Sequence, residues 1–350
     1  MSELRKDPIV DRWVIIAAER GRRPSDFEPT PEPPTSEGCP FCEGNEATTP
    51  AEIYAVRDGT APNTPGWQVR VVPNKFPALA IEGELKRSGF GRLDRMTGVG
   101  AHEVIIESPN HFDDIPAMST DHVALILDTY ARRTEDLRRD ERFHHTIIFR
   151  NYKSAAGASL SHPHSQLIAL PFVPKITKEK LNSAREHYQR KERCIFCDLI
   201  EQELSMPEQE RVIYCNDCFV ILSPFAARFP FSVEIYPLQH CHDFVEMDST
   251  TRLALAQALQ FIFGQYKDTL ADPAYNMTLQ TAPNTSPRPG HPDYWSSLAY
   301  DYHWHLEIFP RLTKVAGFEW GTGCYINPVA PEDAAQYLRS DSCSPGANEQ

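Results

Sequence analysis

The chain has 350 residues, of which 41% are hydrophobic and 24% charged, and its formal net charge at pH 7 is −13. This length suffices for one large or two ordinary domains, and the strong negative charge argues against a broad nucleic-acid-binding face, which needs clustered lysine and arginine. A small phosphorylated ligand is compatible with this charge, because a few local groups suffice to bind it. The chain has no apolar run long enough to cross a bilayer and begins with a polar, charged segment, so we expect no signal peptide and a cytoplasmic location.

The first landmarks are a proline- and acid-rich segment at residues 23–36, predicted to be an extended loop, and a Cys-x-x-Cys pair formed by Cys39 and Cys42. Such a pair lets two thiolates bind one tetrahedral ion from a tight turn. In a chain without a secretory signal, it indicates metal ligands or a redox centre before a disulfide. The redox interpretation is the weaker one, because no thioredoxin-like βαβ pattern surrounds the pair.

The first half continues with a predicted strand at residues 102–107, then a helix, then a second strand at 146–149. β-Branched residues mark both strands. Ser119 is a suitable N-cap, and the apolar residues between 123 and 130 recur at helical spacing. We therefore expect a strand–helix–strand unit here.

A loop of small residues at 151–159 then leads to the triplet His162-Pro163-His164, which is followed by Gln166. Alternate residues at a strand entrance can face two different sites, and Pro163 enters the strand rigidly because it fixes its own φ and donates no ladder hydrogen bond. One histidine can therefore bind a metal while the other faces a substrate. The loop is flexible enough for backbone N–H groups to approach a phosphate.

The second half repeats these landmarks in the same order. A second Cys-x-x-Cys pair at 194–197, a helix predicted to begin at the N-cap Ser249, a strand at 276–279 and a His-Trp-His triplet at 303–305 match those of the first half. Chance rarely reproduces so many landmarks in order, which indicates an internal duplication of an α+β unit. We predict an α+β fold with a mainly antiparallel sheet and helices on one of its faces.

The boundary between the halves falls in a polar, charged stretch at residues 175–193, which is predicted to be helical. The sequence therefore predicts an N-terminal half at residues 1–175, with the His-Pro-His triplet, and a C-terminal half at residues 185–340.

Each half supplies two thiolates and two imidazoles. Together these form a neutral, closed, tetrahedral zinc site of the structural kind, which would hold the fold rather than take part in chemistry. The predicted ligands are Cys39, Cys42, His111 and His162 in the first half and Cys194, Cys197, His240 and His303 in the second.

Two alternatives for these ligands stay open. Cys215 and Cys218 follow the second pair at the spacing of a four-cysteine zinc ribbon, although the first half has no matching pair. His102 could replace His111. On the duplication, the sequence favours free thiols at Cys215, Cys218, Cys241, Cys324 and Cys343.

His164 is free to face a ligand if His162 binds metal. A neutral imidazole can attack phosphorus and form a phosphoramidate, which splits one displacement into two. Ser159, Gln166 and the backbone of residues 157–159 are placed to donate hydrogen bonds to phosphate oxygens. These residues predict a phosphoryl-type transfer, which needs mostly positioning and charge neutralisation.

The second half is less suited to the same chemistry. His305 occupies the position of His164, but Glu307 stands where the first half has Gln166, and an added carboxylate would repel phosphate. The segment at 283–290 is also longer and stiffer than the small-residue loop. We therefore predict that only the first-half site is catalytic.

Six segments carry a resemblance to a known family, and they span nearly the whole chain. They are residues 20–24, 39–42, 74–77, 108–111, 151–166 and 314–319. In this order they resemble the galactose-1-phosphate uridylyltransferase family of the histidine-triad superfold. The run at 317–328 and the second metal pattern are more similar to the two-zinc branch, which includes ADP-glucose phosphorylase.

The resemblance implies two histidine-triad-like halves and a ping-pong nucleotidyl transfer. His164 would attack the α-phosphorus of a nucleotide sugar, release the sugar phosphate and carry the nucleotide as an adduct that Gln166 stabilises. The expected reaction is uridylyl transfer between UDP-glucose and a hexose 1-phosphate, such as galactose 1-phosphate, in galactose metabolism. ADP-glucose phosphorylase activity is the alternative. The resemblance also implies a homodimer, while the second cysteine pair points to zinc where some members bind iron.

The resemblance further implies three groups of binding residues. They are Arg20, Arg23 and Asn74 on the nucleotide side, Asn151 and Ser159 for phosphate, and Lys314, Phe318 and Glu319 for the hexose phosphate, the last three usually across a dimer interface.

Two other functions compete with this one. Smaller histidine-triad proteins hydrolyse nucleotides, but they usually carry a His-x-His-x-His pattern, which Gln166 breaks here. A zinc-stabilised protein that binds nucleotides without turnover would not need His164 with its phosphate-binding loop.

Overall fold

The computed structural model describes residues 2–20, 23–27, 35–285 and 295–339. The strands are β1 Glu3–Lys6, β2 Trp13–Ile16, β3 Tyr54–Arg57, β4 Trp67–Pro73, β5 Arg87–Phe90, β6 Leu93–Met96, β7 Ala101–Ile106, β8 His145–Tyr152, β9 His164–Leu170, β10 Val212–Cys215, β11 Phe219–Leu222, β12 Val233–Pro237, β13 Tyr275–Gln280, β14 His305–Pro310 and β15 Tyr325–Asn327. The helices are α1 Thr120–Arg138, α2 Lys175–Lys191, α3 Ile195–Ser205, α4 Ser249–Leu270, α5 Leu298–Asp301, α6 Gly317–Thr322 and α7 Pro331–Leu338.

One antiparallel sheet of ten strands crosses both halves of the chain, in the order β10-β11-β12-β14-β13-β8-β9-β7-β4-β3. The order is symmetric about the β13–β8 pair, so that β9 in the first half corresponds to β14 in the second and β7 corresponds to β12. A small sheet, β1-β2-β15, joins the two ends of the described chain, and β5 and β6 form a separate hairpin. The fold is α+β with a large antiparallel sheet, as the sequence predicts.

The two long helices α1 and α4 pack on one face of this sheet. Ser119 caps α1 by accepting a hydrogen bond from the backbone N–H of His122 at 3.2 Å. Its buried residues Val123, Ile126 and Leu127 lie at the i, i+3, i+4 spacing of a helix with one apolar side. These residues share one continuous core with the buried side chains of α4 and of the sheet.

The other face is covered by helices in the second half. Phe219 and Ile221 of β11 belong to the core under α1 and α4, whereas Val220 and Leu222 pack with α2 and α3 on the opposite face. Helix α2 follows β9 after residues 171–174, and its Lys180 contacts His305 of β14. In β9, Leu167 and Ala169 face the core under α1 and α4 and are buried, whereas Gln166 lies on the other face of the sheet and is half-buried. Because α2 and α3 cover this face of the sheet in the second half, its first-half part stays accessible beside His164.

Several sequence predictions can be compared directly with these elements. The predicted strands at 102–107, 146–149 and 276–279 correspond to β7, β8 and β13, and the stretch at 175–193 contains α2. The expectation that helices lie on one face is wrong, because α2 and α3 cover the second face of the C-terminal half. The prediction of Ser249 as an N-cap is also wrong: Asp248 caps α4 by accepting from Thr251 N–H, and Ser249 is the first helical residue.

The limits of the two halves, 1–175 and 185–340, stay a prediction of the sequence. None of the helices described is long and apolar enough to span a membrane.

Candidate active site and metal-ligand groups

His164 begins β9 with its ring held in one orientation. Its Nδ1 lies 2.7 Å from the carbonyl oxygen of His162, so Nδ1–H donates and Nε2 keeps its lone pair. The ring is buried to 7% exposure and packs edge-on against Phe41, with ring centroids 5.4 Å apart. Burial lowers the pKa of His164 below its usual value, so the imidazole is neutral at pH 7. A neutral ring with a free Nε2 is the form that can act as a nucleophile.

Gln166 follows two residues later on the same face of β9, and its side chain is held from one side. Its Oε1 lies 2.9 Å from Nε2 of His102, and the amide of Asn74 lies 3.1 Å from the same ring nitrogen. The structure therefore brings Asn74 and Gln166 together at His102, a residue that the sequence considered only as an alternative metal ligand.

The loop between β8 and β9 combines a strained residue with a left-handed glycine. Lys153 has φ of 67° and ψ of 161°, a conformation that costs a non-glycine residue about 1–3 kcal/mol, and its ammonium is bound to Asp272 at 2.6 Å. Gly157 has φ of 92° and ends the turn at residues 154–156. Ser159 lies exposed just after it. Residues held in such sparsely populated backbone conformations cluster at active sites and ligand-binding loops.

Asn151 is oriented by a residue of the second half. Asn276 donates from its amide nitrogen to Asn151 Oδ1 at 2.8 Å and to the carbonyl oxygen of Ala156 at 2.8 Å. The two asparagines lie directly opposite each other where β13 pairs with β8. Because Asn151 Oδ1 is occupied, its amide nitrogen faces the loop, close to Gly157.

A buried carboxylate lies behind β9, on the face covered by α1. Glu107 is fully buried and accepts hydrogen bonds from Ser165 Oγ at 2.5 Å, Tyr130 OH at 3.1 Å and Arg150 Nε at 3.1 Å. Ser165 stands between His164 and Gln166, so this network fixes the backbone on which both side chains are mounted. The Arg150 guanidinium balances the charge, which makes burial of the carboxylate tolerable.

The first metal-ligand group brings together all four residues that the sequence predicts. The ligand atoms of Cys39, Cys42, His111 and His162 lie within 4.8 Å of one another. The Nδ1 atoms of both histidines face Cys42 Sγ, at 3.4 Å for His111 and 3.7 Å for His162. His162 Nε2–H donates to the carbonyl of Ser108 at 2.7 Å, which is the outer hydrogen bond that a metal-bound imidazole usually makes.

The second group repeats this geometry. Cys194, Cys197, His240 and His303 also place their ligand atoms within 4.8 Å. The histidine Nδ1 atoms lie 3.3 Å and 3.5 Å from Cys197 Sγ, and His303 Nε2–H donates to the carbonyl of Pro237 at 2.9 Å. Two thiolates, two Nδ1 atoms and an outer carbonyl for the buried ring fit a structural zinc ion in each half.

The alternative ligand sets do not assemble in the described part of the chain. Cys215 is exposed and Cys218 flanks the turn of Asn216, whose Oδ1 accepts from the backbone N–H groups of Cys218 and Phe219. His102 contacts Gln166 and leaves the ligand position to His111. Of the other cysteines, Cys241 and Cys324 are free thiols and Cys343 lies outside the described residues.

His305 is the second-half counterpart of His164, and its ring is hydrogen-bonded to the side chain of a buried lysine. Its Nδ1–H donates to the carbonyl of His303 at 3.0 Å, as in the first half, but its Nε2 accepts from Lys180 Nζ at 2.8 Å. The same ammonium is bound to Glu307 at 2.6 Å. Burial and the nearby ammonium lower the pKa of His305 to about 3. The nitrogen that would attack phosphorus is therefore already used in a hydrogen bond.

The remaining predicted binding residues lie away from β9. Lys314 is exposed and lines a surface depression with Phe229, Arg311 and Trp320. Phe318 is 45% exposed on α6, and Glu319 accepts a hydrogen bond from Ala316 N–H at the start of this helix. The described contacts of this segment are to the second half and not to His164.

The two arginines belong to the N-terminal region. Arg20 ends a short turn at Ala18–Arg20, and its side chain lies outside the described part. Arg23 is exposed and precedes the turn Pro24–Asp26.

Sequence reasoning missed the role of four residues that shape these sites: the contact of His102 with Gln166, and the contacts of Glu107, Lys180 and Asn276. Asn276 contacts a residue of the first half, and Lys180, in the stretch between the halves, contacts β14; each partner is 125 residues away, so no local pattern marks them. His102 and Glu107 lie at the two ends of one predicted strand, and polar residues at both ends of its apolar centre at residues 104–106 were the available signal.

Comparison with known proteins agrees with this architecture. The family described as "Galactose-1-phosphate uridyl transferase, N-terminal domain" matches residues 1–174. ADP-glucose phosphorylase of Arabidopsis thaliana is 34% identical over 348 residues, covering 97% of this chain and 93% of that protein. Galactose-1-phosphate uridylyltransferase of Thermotoga maritima is 31% identical over 350 residues, with coverage of 97% and 98%. The structure of an Arabidopsis thaliana ADP-glucose phosphorylase with bound ADP-glucose superposes with a TM-score of 0.81 at 32% identity, covering 98% of this chain and all of that one.

The class that these findings define is an enzyme of a nucleotidyltransferase family. More specifically, the chain belongs to the galactose-1-phosphate uridylyltransferase family, as its sequence resemblance predicts.

Proposed function

We propose that this protein transfers a nucleoside monophosphate from a nucleotide sugar through a covalent adduct on His164. The observation that carries the proposal is the free Nε2 of a buried, neutral imidazole whose Nδ1–H is held by the His162 carbonyl. In the first step, the Nε2 lone pair forms a bond to the α-phosphorus. The bond from that phosphorus to the bridging oxygen breaks, and the sugar 1-phosphate leaves.

In the second step, an oxygen of the acceptor phosphate attacks the same phosphorus and the P–N bond breaks. The electron pair of that bond returns to Nε2, so His164 ends as it began. The hydrogen bond from Nδ1–H to a carbonyl favours the adduct, because the ring carries positive charge while Nε2 is bonded to phosphorus. The Gln166 amide and Ser159 of the loop donate to the phosphate oxygens, because the N–H groups of Gly157 and Ala158 are already bonded to carbonyl oxygens within the loop.

Two donors are candidates for this reaction. UDP-glucose, with a hexose 1-phosphate such as galactose 1-phosphate as acceptor, is the first, and the Thermotoga maritima relative supports it. ADP-glucose, with inorganic phosphate as acceptor, is the second. The Arabidopsis thaliana relative, at 34% identity, and the neighbour with bound ADP-glucose favour it. The two reactions share the first step and differ in the base and in the acceptor.

We also propose that each ligand group holds one zinc ion with a structural role. Zinc in the first group would fix His162, whose carbonyl in turn orients His164. The second group has no such connection to His164 and would stabilise the C-terminal half.

We also propose that the protein is a homodimer. In it, the segment with Lys314, Phe318 and Glu319 would reach across the interface and bind the hexose phosphate in the active site of the other subunit. Its exposure, with Trp320 at 79%, supports this assignment, because such a segment has surface available for a second copy. Sedimentation equilibrium of the purified chain at micromolar concentration would test it, and a monomer would contradict it. The cytoplasmic location stays a prediction of the sequence.

The decisive experiment measures intact-protein mass after mixing with UDP-glucose or, separately, ADP-glucose, without acceptor. A UMP-sized adduct supports uridylyl transfer and an AMP-sized adduct supports the phosphorylase. His164→Ala should abolish the adduct with either donor. His305→Ala should retain it, because the Nε2 lone pair of His305 is already bonded to the Lys180 ammonium and is not used as a nucleophile. An adduct on the His164→Ala protein would contradict the assignment of the nucleophile.

A further inference from the structure

His102 lies where three polar side chains meet at the edge of the His164 face. In the pairing of β7 with β9, His102 is opposite Ile168 and Val104 is opposite Gln166. His102 is therefore the diagonal neighbour of Gln166 on the same face, within reach of a long side chain. The imidazole is held on both of its nitrogens, which fixes its hydrogen-bonding state.

The backbone N–H of Ala78 determines which ring nitrogen of His102 carries the hydrogen. This N–H lies 3.1 Å from His102 Nδ1 and can only donate, so Nδ1 must accept. In a neutral ring the hydrogen is then on Nε2. Gln166 Oε1 lies 2.9 Å from Nε2 and accepts this hydrogen. The orientation of the Gln166 amide follows, because its oxygen is directed at His102 and its nitrogen away from it.

A backbone hydrogen bond also fixes the orientation of the Asn74 side-chain amide. Its Oδ1 accepts from the backbone N–H of Phe76 at 2.9 Å, so its amide nitrogen is the atom 3.1 Å from His102 Nε2. Two N–H groups cannot donate to each other. The Asn74 amide therefore makes no hydrogen bond to His102 Nε2, and Gln166 Oε1 is the partner of this nitrogen.

We propose that His102 is a positioning residue for the nucleotidyl transfer, resting on the function proposed above. By holding Gln166 Oε1, it turns the Gln166 amide nitrogen toward the place where the phosphoryl oxygens develop charge beside His164. An unheld glutamine can rotate its amide by half a turn and present a carbonyl oxygen instead, which repels those oxygens.

Two substitutions separate the roles of the two ring nitrogens. In His102→Asn the side-chain oxygen lies near the position of Nδ1, so Ala78 N–H keeps an acceptor while Gln166 loses its donor. In His102→Gln the side-chain amide reaches the position of Nε2, and the donor to Gln166 is retained. His187→Asn, at the contact of α2 with Asp198, is a matched control outside the site.

The experiment measures the single-turnover rate of adduct formation by rapid quench and intact mass. The donor is whichever of UDP-glucose and ADP-glucose labels the wild-type protein. We expect His102→Asn to slow the rate by about 10-fold, between the loss of an ordinary hydrogen bond and the loss of an oxyanion donor. His102→Gln should recover most of that rate, and His187→Asn should match wild type.

A double-mutant cycle tests whether His102 acts through Gln166. In a Gln166→Ala background, adding His102→Asn should change the rate by less than about 2-fold, because no amide is left to orient. Losses that multiply would show an independent role for His102 and overturn the inference, as would a wild-type rate for His102→Asn. If wild-type protein forms no adduct with either donor, the proposed function itself fails and the inference fails with it.

Discussion

Replacing Lys180 by methionine should destabilise the protein strongly, although this residue lies on a helix surface that the sequence marks as polar. The Lys180 and Glu307 side chains are 6% and 9% exposed, and their charged atoms lie 2.6 Å apart. Removing one partner of a buried ion pair costs about 3–5 kcal/mol, because the other charge stays buried. Arg228, 3.9 Å from Glu307, remains as a partial counter-charge. We therefore expect a loss in the free energy of unfolding near the lower limit, about 3 kcal/mol.

The assay is urea unfolding of metal-replete protein at pH 7, with Lys175→Met as the matched control. Lys175 lies on the same helix, is 88% exposed and is 3.7 Å from Glu179, so its removal should change stability by less than about 0.5 kcal/mol. Lys180→Met combined with Glu307→Met should recover most of the loss, because neither charge is then buried. A Lys180→Met protein within about 1 kcal/mol of wild type would refute the reasoning.

The pH dependence of this loss has a defined sign. Burial raises the pKa of Glu307, but Lys180, Arg228 and His305 lower it more, to about 2. Its folded pKa is therefore below the unfolded value of about 4.5, so the group stabilises the folded state above that pH. This contribution is lost as the pH falls from about 4.5 toward 2. The difference in unfolding free energy between wild type and Lys180→Met should therefore become smaller as the pH falls over this range. Urea unfolding of both proteins at each pH would measure it.

Three further outcomes follow from the site and its surroundings. Cys42→Ser should lower zinc from two ions to one per chain, measured by plasma emission spectrometry, while Cys218→Ser keeps both; an unchanged content would exclude the first ligand group. Arg133→Met breaks the buried ion pair of 2.7 Å with Glu103 and should lower the free energy of unfolding in urea by about 3 kcal/mol. Arg132→Met, at the exposed neighbour, should lower it by less than about 0.5 kcal/mol, and equal losses for the two variants would contradict this prediction. Asn276→Ala should slow adduct formation by about 5-fold with little change in stability, because it releases Asn151 and the loop at residues 153–159. A wild-type rate in the same quench assay would show that this loop keeps its position without Asn276.

The sequence predicts which cysteines and histidines meet in the two metal-ligand groups, because residue type and spacing carry most of that information. A Cys-x-x-Cys pair needs only a tight turn to present two thiolates, and the duplication supplies an independent second copy of the pattern. The choice between His102 and His111 needed the strand register, which places His102 beside Gln166 and leaves His111 beyond the end of β7. Register follows from tertiary pairing, so the sequence had left both histidines open.

Contacts between the halves could not be predicted in the same way. Asn151 and Asn276 are 125 residues apart and meet only because β8 and β13 are neighbours at the centre of the sheet. Lys180 is also 125 residues from His305. Its stretch of sequence indicates a polar helix, and a polar helix is normally solvent-exposed. The helix buries this lysine because the strand face beneath it carries an acid and an imidazole lone pair.

The two halves share a sheet, a metal-ligand geometry and a histidine with the same Nδ1 hydrogen bond, so these features do not determine which half reacts. The difference is what covers the strand face. An open face leaves the Nε2 of His164 for a ligand, whereas a face closed by α2 must satisfy its polar groups internally, and Lys180 does so for His305 and Glu307 at once. Restoring the first-half residue by Glu307→Gln would leave the His305 lone pair bound to an ammonium that had lost its counter-ion. We therefore expect the second site to be inactive because of the helix that covers it, and we expect Glu307→Gln alone not to turn His305 into a nucleophile.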